Sequence, residues 1–198
     1  MIGSMTTDRR FLLLHGWENH RPPGHWQWWL AEELRRRGEQ VLYPQLPDPD
    51  SPTLSTWTEI LHAELAQLGD GERIVVAHSL GATLWLSAAA ALSRDQQVGR
   101  VVLVSPPSPT VLGRYAVVEE FARAPLASGT ADTRLVCSDN DPYCPEGATT
   151  LLAGLHLDTD LIAGGGHLNP DSGYGAWPAM LAWCLDPATR VSGRSGPA

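Results

Sequence analysis

Residues 74–81 read Ile-Val-Val-Ala-His-Ser-Leu-Gly, and this stretch decides the predicted fold. Its first four residues are apolar and mostly β-branched, which indicates a buried parallel strand. The chain then turns sharply before residues 82–90, whose alanine and leucine content favours a helix. Ser79 therefore lies on a strand-to-helix elbow, which is typical of the nucleophile motif G-x-S-x-G. Ala77 stands at the first glycine position of that motif, and Gly81 keeps the second.

Length, charge and cysteine content narrow the class of protein. A chain of 198 residues suits one domain, predicted over residues 6–186, with a polar end at 187–198 that we expect to fray. The net charge is −8 and lysine is absent, which argues against nucleic acid or phosphate groups as partners. No apolar run is long enough for a membrane span, and no signal peptide is recognisable. Three cysteines without paired spacing favour reduced thiols, so we expect a cytoplasmic protein.

Short apolar strands alternate with helical stretches along the chain. The predicted strands cover 11–14, 41–43, 74–77, 101–104, 135–137 and 157–162, and the predicted helices cover 26–37, 54–68, 82–90 and 176–185. This alternation indicates βαβ units and therefore a parallel sheet with helices on both faces. Ligands of such sheets bind at the carboxyl ends of the strands.

Four chemically unusual segments follow predicted strand ends. His15-Gly16-Trp17 follows the first strand, Ser79 the third, and Asp139-Asn140-Asp141 the fifth. Residues 164–166 are three glycines after the sixth strand, and His167 comes next. Because the carboxyl ends of parallel strands share one edge of the sheet, we expect these segments to meet there.

A serine hydroxyl becomes a nucleophile when a base accepts its proton and an acid orients that base. The order Ser79, aspartate, His167 is the order found in α/β-hydrolases. Asp139 and Asp141 are both candidates for the acid. Pro142 favours extended backbone at Asp141, so we prefer Asp141, with Asp139 bracing the loop.

Backbone N–H groups should stabilise the negative charge that develops on the substrate oxygen. The expected donors are the N–H groups of Leu80, directly after the serine, and of Trp17, after the first strand. Trp17, Tyr143 and Leu168 flank the catalytic candidates and are predicted to bind substrate, in an apolar pocket suited to small acyl esters or thioesters. Residues 105–130 form the one insertion long enough to cover such a site.

No motif predicts a metal or a cofactor. The histidines lack i, i+4 pairing with a carboxylate, and the cysteines are dispersed. Neither a P-loop nor a G-x-G-x-x-G sequence is present. We therefore expect chemistry that needs neither a metal nor a cofactor, on a small-molecule substrate, with no membrane partner. The sequence does not indicate an oligomeric state.

Several short motifs together resemble one family. They are His15-Gly16-Trp17 with His25-Trp26, Leu46-Pro47-Asp48-Pro49 with Trp57, and the segments 77–81, 138–143 and 166–169. Across roughly residues 10–185 the chain resembles the YdeN-like small serine hydrolases, the family that includes retinoblastoma-binding protein nine. The resemblance implies a minimal α/β-hydrolase without a large lid, with a sheet of about six parallel strands in the order 2-1-3-4-5-6. It also implies Ser79 as nucleophile, Asp141 as acid and His167 as base.

Three functions are compatible with these features. The first is hydrolysis of small esters or thioesters through an acyl-serine. The second is an acyl-transfer or cyclising reaction that uses the same intermediate. The third is a non-catalytic interaction module, for which residues 135–139 approximate an L-x-C-x-E docking peptide. That peptide lies on a predicted core strand, where a partner could not reach it.

Overall fold

The computed structural model describes residues 8–194 of the chain. The predicted start of the domain at residue 6 lies outside the described residues. The strands are β1 (Arg9–Leu14), β2 (Gln40–Leu42), β3 (Glu72–His78), β4 (Arg100–Val104), β5 (Asp132–Ser138) and β6 (Asp158–Ile162). The α-helices are α1 (Trp26–Arg36), α2 (Leu54–Gln67), α3 (Leu80–Ala88), α4 (Pro109–Leu112), α5 (Glu119–Ala122), α6 (Ala148–Leu151) and α7 (Pro178–Leu185). Short 3-10 turns cover Ala89–Ala91, Arg94–Gln96, Ala116–Val118, Ala153–Leu155 and Pro170–Ser172.

All strands of the described chain pair in parallel, in the order β2-β1-β3-β4-β5-β6. This order confirms the predicted sheet. In the register, Leu14 of β1 lies beside Ala77 of β3, and His78 lies beside Val104 of β4. The loops that follow β1, β3, β4, β5 and β6 therefore open at one edge of the sheet.

Each face of the sheet buries its own apolar cluster. Leu12 and Leu14 of β1 point to one face, and Phe11 and Leu13 point to the other, as the two-residue period of a strand requires. We call the first the α2–α3 face; it contains Trp57, Leu61, Leu84, Leu112 and Phe121. We call the second the α1–α7 face; it contains Trp26, Leu30, Leu168, Trp177 and Met180. Both faces are covered, so the carboxyl edge is the place left for a site.

The insertion at 105–130 packs on the α2–α3 face. It holds α4, a 3-10 turn and α5, and it buries Val118 and Phe121 in the core. The Phe121 ring meets Trp57 of α2 edge-on at 5.6 Å between centroids. The Glu120 carboxylate accepts a hydrogen bond from the N–H of Leu54, at the start of α2. The insertion is therefore a packed wall beside the carboxyl edge.

Residues 187–194, the described part of the polar end, differ from the sequence expectation. Val191 is buried, and its N–H donates to the Asp160 carboxylate of β6 at 2.8 Å. The indole N–H of Trp177 donates to the carbonyl of Ser192, also at 2.8 Å. The expectation of fraying is wrong for these residues, because one apolar side chain and a buried carboxylate attach them to the sheet. Residues 195–198 lie outside the described residues.

Two further observations bear on partners. Leu135, Val136 and Cys137 are buried in β5, between β4 and β6, so the docking peptide suggested by the sequence is not accessible. Across residues 8–194, the helices are all too short or too polar to cross a bilayer.

Candidate active site

Ser79 sits on strained backbone between β3 and α3. Its φ of 54° and ψ of −125° lie outside the regions that L-residues normally occupy, at a cost of about 1–3 kcal/mol. The Ser79 N–H donates to the carbonyl of Val104 at 2.9 Å, and the Ser79 carbonyl accepts from Ala82 at 2.8 Å. These bonds hold the turn, so that the hydroxyl projects from the carboxyl edge.

Two glycines allow the elbow to approach β1 closely. A Cβ atom on Gly81 would lie 2.6 Å from the carbonyl oxygen of His15 and 2.7 Å from that of Leu14. A Cβ atom on Gly16 would lie 2.8 Å from Cβ of Ser79. Any side chain at either position would therefore push the loop after β1 away from the serine.

Ser79, His167 and Asp141 form a continuous hydrogen-bonded chain. The Oγ of Ser79 lies 2.9 Å from Nε2 of His167. The Nδ1 of His167 lies 2.9 Å and 3.0 Å from the two carboxylate oxygens of Asp141. A carboxylate can only accept, so Nδ1 carries the proton and Nε2 is free to accept the serine proton. The imidazole is thereby held in the tautomer that a general base requires.

The two candidate acids occupy different places. Asp141 is buried, and besides His167 it accepts a hydrogen bond from the N–H of Tyr143 at 2.9 Å. Asp139 instead accepts from the N–H of Gly164 at 2.8 Å. The structure thus brings Asp141 to the imidazole and leaves Asp139 at the base of the loop.

Three consecutive side chains tie the loop after β5 to the loop after β6. Ser138, Asp139 and Asn140 accept hydrogen bonds from the N–H groups of Gly165, Gly164 and Gly166, at 2.9, 2.8 and 2.7 Å. The loop that carries Asp141 is therefore fastened to the loop that carries His167.

The N–H groups of Trp17 and Leu80 flank the serine. Within residues 8–194 neither donates to a backbone carbonyl, so both are free for a developing oxyanion. His15 fixes the first of them: its Nδ1 donates to the carbonyl of Gly16 at 2.8 Å, and its Nε2 accepts from the N–H of Leu46 at 2.8 Å. The Gly16 carbonyl and the Trp17 N–H belong to one trans peptide and point in opposite directions. The hydrogen bond that fixes the Gly16 carbonyl therefore also fixes the direction of the Trp17 N–H.

Three further histidines near the serine are buried and neutral. Burial lowers the pKa of His15 and of His25 to about 4 in each case. Burial also lowers the pKa of His78 well below its usual value, with the neighbouring His167 and His25 adding to the effect. The Nε2 of His78 donates to the His167 carbonyl at 3.1 Å. Within the described chain, Nδ1 of His78 has no partner, as expected for an uncharged ring.

A cavity of about 440 Å³ opens in front of the serine. Ser79, Leu80, His167, Trp17 and Tyr143 all line it. The Tyr143 ring contacts His167 at 4.4 Å between centroids.

Leu168 does not contribute to this cavity. Its φ of 50° turns the chain so that the side chain is fully buried on the α1–α7 face. The prediction that Leu168 binds substrate is therefore wrong, because the residue packs in the core behind the loop.

The cavity has two chemically distinct walls. The apolar wall lies over the α2–α3 face and consists of Trp17, Pro107, Val111, Leu112 and Tyr115. The polar wall comprises Glu18 and Asn19 of the loop after β1, His25 at the start of α1, and Asn169 and Asp171 of the loop after β6. His20, Pro22 and Pro170 of the same segments also line the cavity. Among residues 8–194, no group of three histidine, cysteine or carboxylate side chains is arranged to hold a metal ion.

Sequence reasoning missed the roles of several of these residues. Pro107, Val111 and Leu112 belong to an insertion whose packing depends on tertiary contacts. In the sequence, His25 stands out only within the His25-Trp26 motif of the family resemblance. Histidine is not a usual N-cap residue, so no sequence signal placed its ring at the cavity.

A parallel sheet in this strand order, with a serine on the elbow after β3, defines an α/β-hydrolase. The chain belongs to the serine hydrolase family, whose family model matches residues 11–184. It is 25% identical over 179 residues to YdeN of Bacillus subtilis, described as a hydrolase; the match covers 87% of this chain and 92% of YdeN.

Solved structures give the same fold. The crystal structure of the ydeN gene product superposes with a TM-score of 0.74 at 23% identity, covering 90% of this chain and 97% of that one. A YdeN-like hydrolase structure from Pectobacterium atrosepticum gives 0.68 at 21% identity, covering 90% of each chain. The esterase domain of a Rhodothermus marinus protein gives 0.67 at 17% identity, covering 90% of this chain and 88% of that domain.

Proposed function

We propose that this hydrolase is a carboxylesterase that cleaves small esters or thioesters through an acyl-serine at Ser79. One observation carries the proposal. The Oγ of Ser79, the imidazole of His167 and the carboxylate of Asp141 are joined by hydrogen bonds of 2.9 Å each, at the floor of a cavity. The esterase domain with the same fold is consistent with this reaction class.

The proposed first half-reaction acylates the serine. His167 takes the hydroxyl proton on Nε2 while Oγ of Ser79 attacks the ester carbonyl carbon. The carbonyl oxygen becomes an oxyanion that accepts from the N–H groups of Trp17 and Leu80. The tetrahedral intermediate collapses as His167 gives its proton to the leaving alcohol or thiol, and the C–O or C–S bond breaks. Asp141 stabilises the imidazolium that exists between these proton transfers.

The second half-reaction releases the acid. Water loses a proton to His167 and attacks the acyl-serine, and the new oxyanion uses the same N–H groups. Collapse returns the proton to Ser79 and frees the carboxylic acid. An acyl-transfer enzyme would differ only in the nucleophile of this step.

Hydrolysis of 4-nitrophenyl butyrate by wild type, Ser79→Ala and Ser87→Ala tests the proposal. Loss of the nucleophile should lower kcat by as much as roughly 10⁶-fold, the scale seen when a triad serine is removed. Ser87→Ala is the matched control, because that hydroxyl only donates to the Leu84 carbonyl within α3. Wild-type activity in a folded Ser79→Ala protein would exclude the acyl-serine.

A further inference from the structure

His25 presents a fixed hydrogen-bond donor to the cavity. The residue precedes α1 and caps it, with Nδ1 accepting from the N–H of Gln27 at 3.1 Å. Nδ1 therefore uses its lone pair on that N–H, and the proton of the neutral ring resides on Nε2. The depressed pKa of about 4, which results from burial, keeps the ring in this form at neutral pH.

The Nε2–H of His25 meets the cavity and no other group. His25 is only 3% exposed, yet it lines the cavity. Nε2 makes no hydrogen bond to residues 8–194, and it is not one of the enclosed side-chain atoms that lack a partner. A donor that faces a cavity is satisfied there by water or by an acceptor atom of a bound molecule.

The position of His25 indicates which part of a substrate it meets. The leaving oxygen must lie near Nε2 of His167, because that nitrogen protonates it. The rings of His167, His78 and His25 follow one another, with centroids 5.1 Å and then 5.3 Å apart. His25 thus lies beyond His78 from the base, next to Trp26 of the α1–α7 face, whereas Trp17 and Leu112 of the apolar wall pack on the α2–α3 face. An apolar acyl group suits the apolar wall, which leaves the side of His25 to the alcohol part of the ester.

The charges of the polar wall restrict the alcohol further. The exposed carboxylates of Glu18 and Asp171 line the cavity on this side. Anionic alcohols or thiols, such as those that carry phosphate, would be repelled.

We infer that the polar wall selects esters of uncharged polyhydroxy alcohols, and that Nε2–H of His25 donates to a hydroxyl oxygen of that alcohol. The acyl group would be short and apolar, in contact with the apolar wall. The inference rests on the proposed ester hydrolysis at Ser79 and adds a substrate class to it.

The test compares two butyrate esters that share the acyl group and a three-carbon primary alcohol. Glyceryl 1-monobutyrate carries two hydroxyls where propyl butyrate carries none, so it samples two distances from the ester bond. Release of butyric acid is followed by titration at constant pH. We expect the wild type to favour the glyceryl ester in kcat/KM by roughly tenfold, the effect of one hydrogen bond of about 1.4 kcal/mol.

Two variants isolate the donor. His25→Asn keeps a side-chain oxygen that can cap α1, but it removes the imidazole N–H that reaches the cavity. His25→Phe keeps the approximate volume of the ring, but it removes both the atom that caps α1 and the N–H that reaches the cavity. In each, the preference for the glyceryl ester over propyl butyrate, taken as the ratio of their kcat/KM values, should fall roughly tenfold. The thermal midpoint of His25→Asn at pH 7 shows whether this variant is folded.

The outcomes separate this inference from the proposed function. A wild-type preference near one, an unchanged preference in His25→Asn, or equal loss on both esters would each overturn the inference while hydrolysis at Ser79 stands. If His25→Asn does not fold, the ratio of kcat/KM for the two esters in the wild type decides whether the inference stands. A wild-type protein that hydrolyses neither these esters nor 4-nitrophenyl butyrate would instead overturn the proposed function.

Discussion

The elbow that carries Ser79 is held by backbone packing, whereas the loops that carry Asp141 and His167 are held by side-chain hydrogen bonds. At the elbow, Gly81 lets α3 start against the carbonyl groups at the end of β1. In the acid and base loops, Ser138, Asp139 and Asn140 accept from three successive glycine N–H groups. The two regions meet at the 2.9 Å contact between Ser79 and His167.

This difference predicts how each region responds to substitution. A backbone contact cannot yield without moving a strand or a helix, so the elbow should be sensitive to added volume. A loop fastened by several side chains can lose one bond and keep the rest, so its sensitivity should depend on which polar atom is lost. Substitutions in the two regions should therefore differ in how much activity they remove.

The largest effect is expected at the acid. Asp141→Asn keeps the shape but replaces one carboxylate oxygen by a donor, which favours the wrong tautomer of His167. The expected loss in kcat is on the order of 10⁴-fold, as measured for this change in a related triad. Steady-state kinetics with 4-nitrophenyl butyrate measure it. A loss below tenfold would mean that Asp141 does not orient the base.

The elbow is tested by Gly81→Ala. The new Cβ would meet two carbonyl oxygens at 2.6 and 2.7 Å, so α3 or β1 must shift. A shift of about 1 Å at the serine should lower kcat by roughly 10²-fold, and overpacking should cost about 1–3 kcal/mol of unfolding free energy. Urea denaturation and ester kinetics measure the two effects.

Gly154→Ala is the control for this substitution, since nothing lies within 4 Å of the Cβ it adds. Wild-type kinetics in Gly81→Ala would show that the elbow tolerates added volume and would contradict the claim that backbone packing holds it.

Acid should destabilise the fold through the histidines that flank the elbow. The pKa values of His15 and His25 are about 4 in the folded protein, below the usual 6.5 of an unfolded chain. Between these values the unfolded state binds more protons, so stability is full above about pH 7 and falls as the pH drops towards 4. At pH 5 each of these two histidines should lower the free energy of unfolding by roughly 2 kcal/mol.

Urea denaturation at pH 7 and pH 5 measures this loss. In His25→Asn the loss between the two pH values should be smaller by roughly 2 kcal/mol, since one buried histidine is gone. An identical loss in wild type and variant would contradict the burial argument for His25.

The smallest effect is expected for Asp139→Asn. The amide oxygen can still accept from the N–H of Gly164, so the loop keeps its bond. We expect kcat within about twofold of wild type, because neutral acceptors replace charged ones at an exposed site with little loss. A loss comparable to that of Asp141→Asn would reverse the assignment of the two carboxylates.

The sheet could be predicted from the sequence because its determinants are local. Four apolar residues at 74–77 and small residues after Ser79 specify a buried strand and a close turn, and alternation of strands and helices specifies a parallel sheet. The order of the strands was implied by the family resemblance. Leu168 could not be placed in this way, because its left-handed backbone conformation reverses the direction that neighbouring residues suggest. Val191 was missed because one buried residue in a polar segment produces no periodic pattern.

The site was predicted in part for the same reason. Ser79 directly follows β3 and His167 lies in the loop after β6, so topology alone brings the proposed nucleophile and base to one edge. The choice between Asp139 and Asp141 depended on the backbone preference before Pro142. The tautomer of His25 depends on a cap and on burial, which only the assembled fold defines.

The most direct measurement is the mass and site of the adduct formed by a fluorophosphonate probe. Intact-protein and peptide mass spectrometry should find one adduct on wild-type protein, on Ser79, and none on folded Ser79→Ala. Asp141→Asn should form the adduct far more slowly, while Asp139→Asn should keep the wild-type rate. An adduct on another residue, or no adduct on folded wild-type protein, would contradict the assignment of Ser79 as the nucleophile.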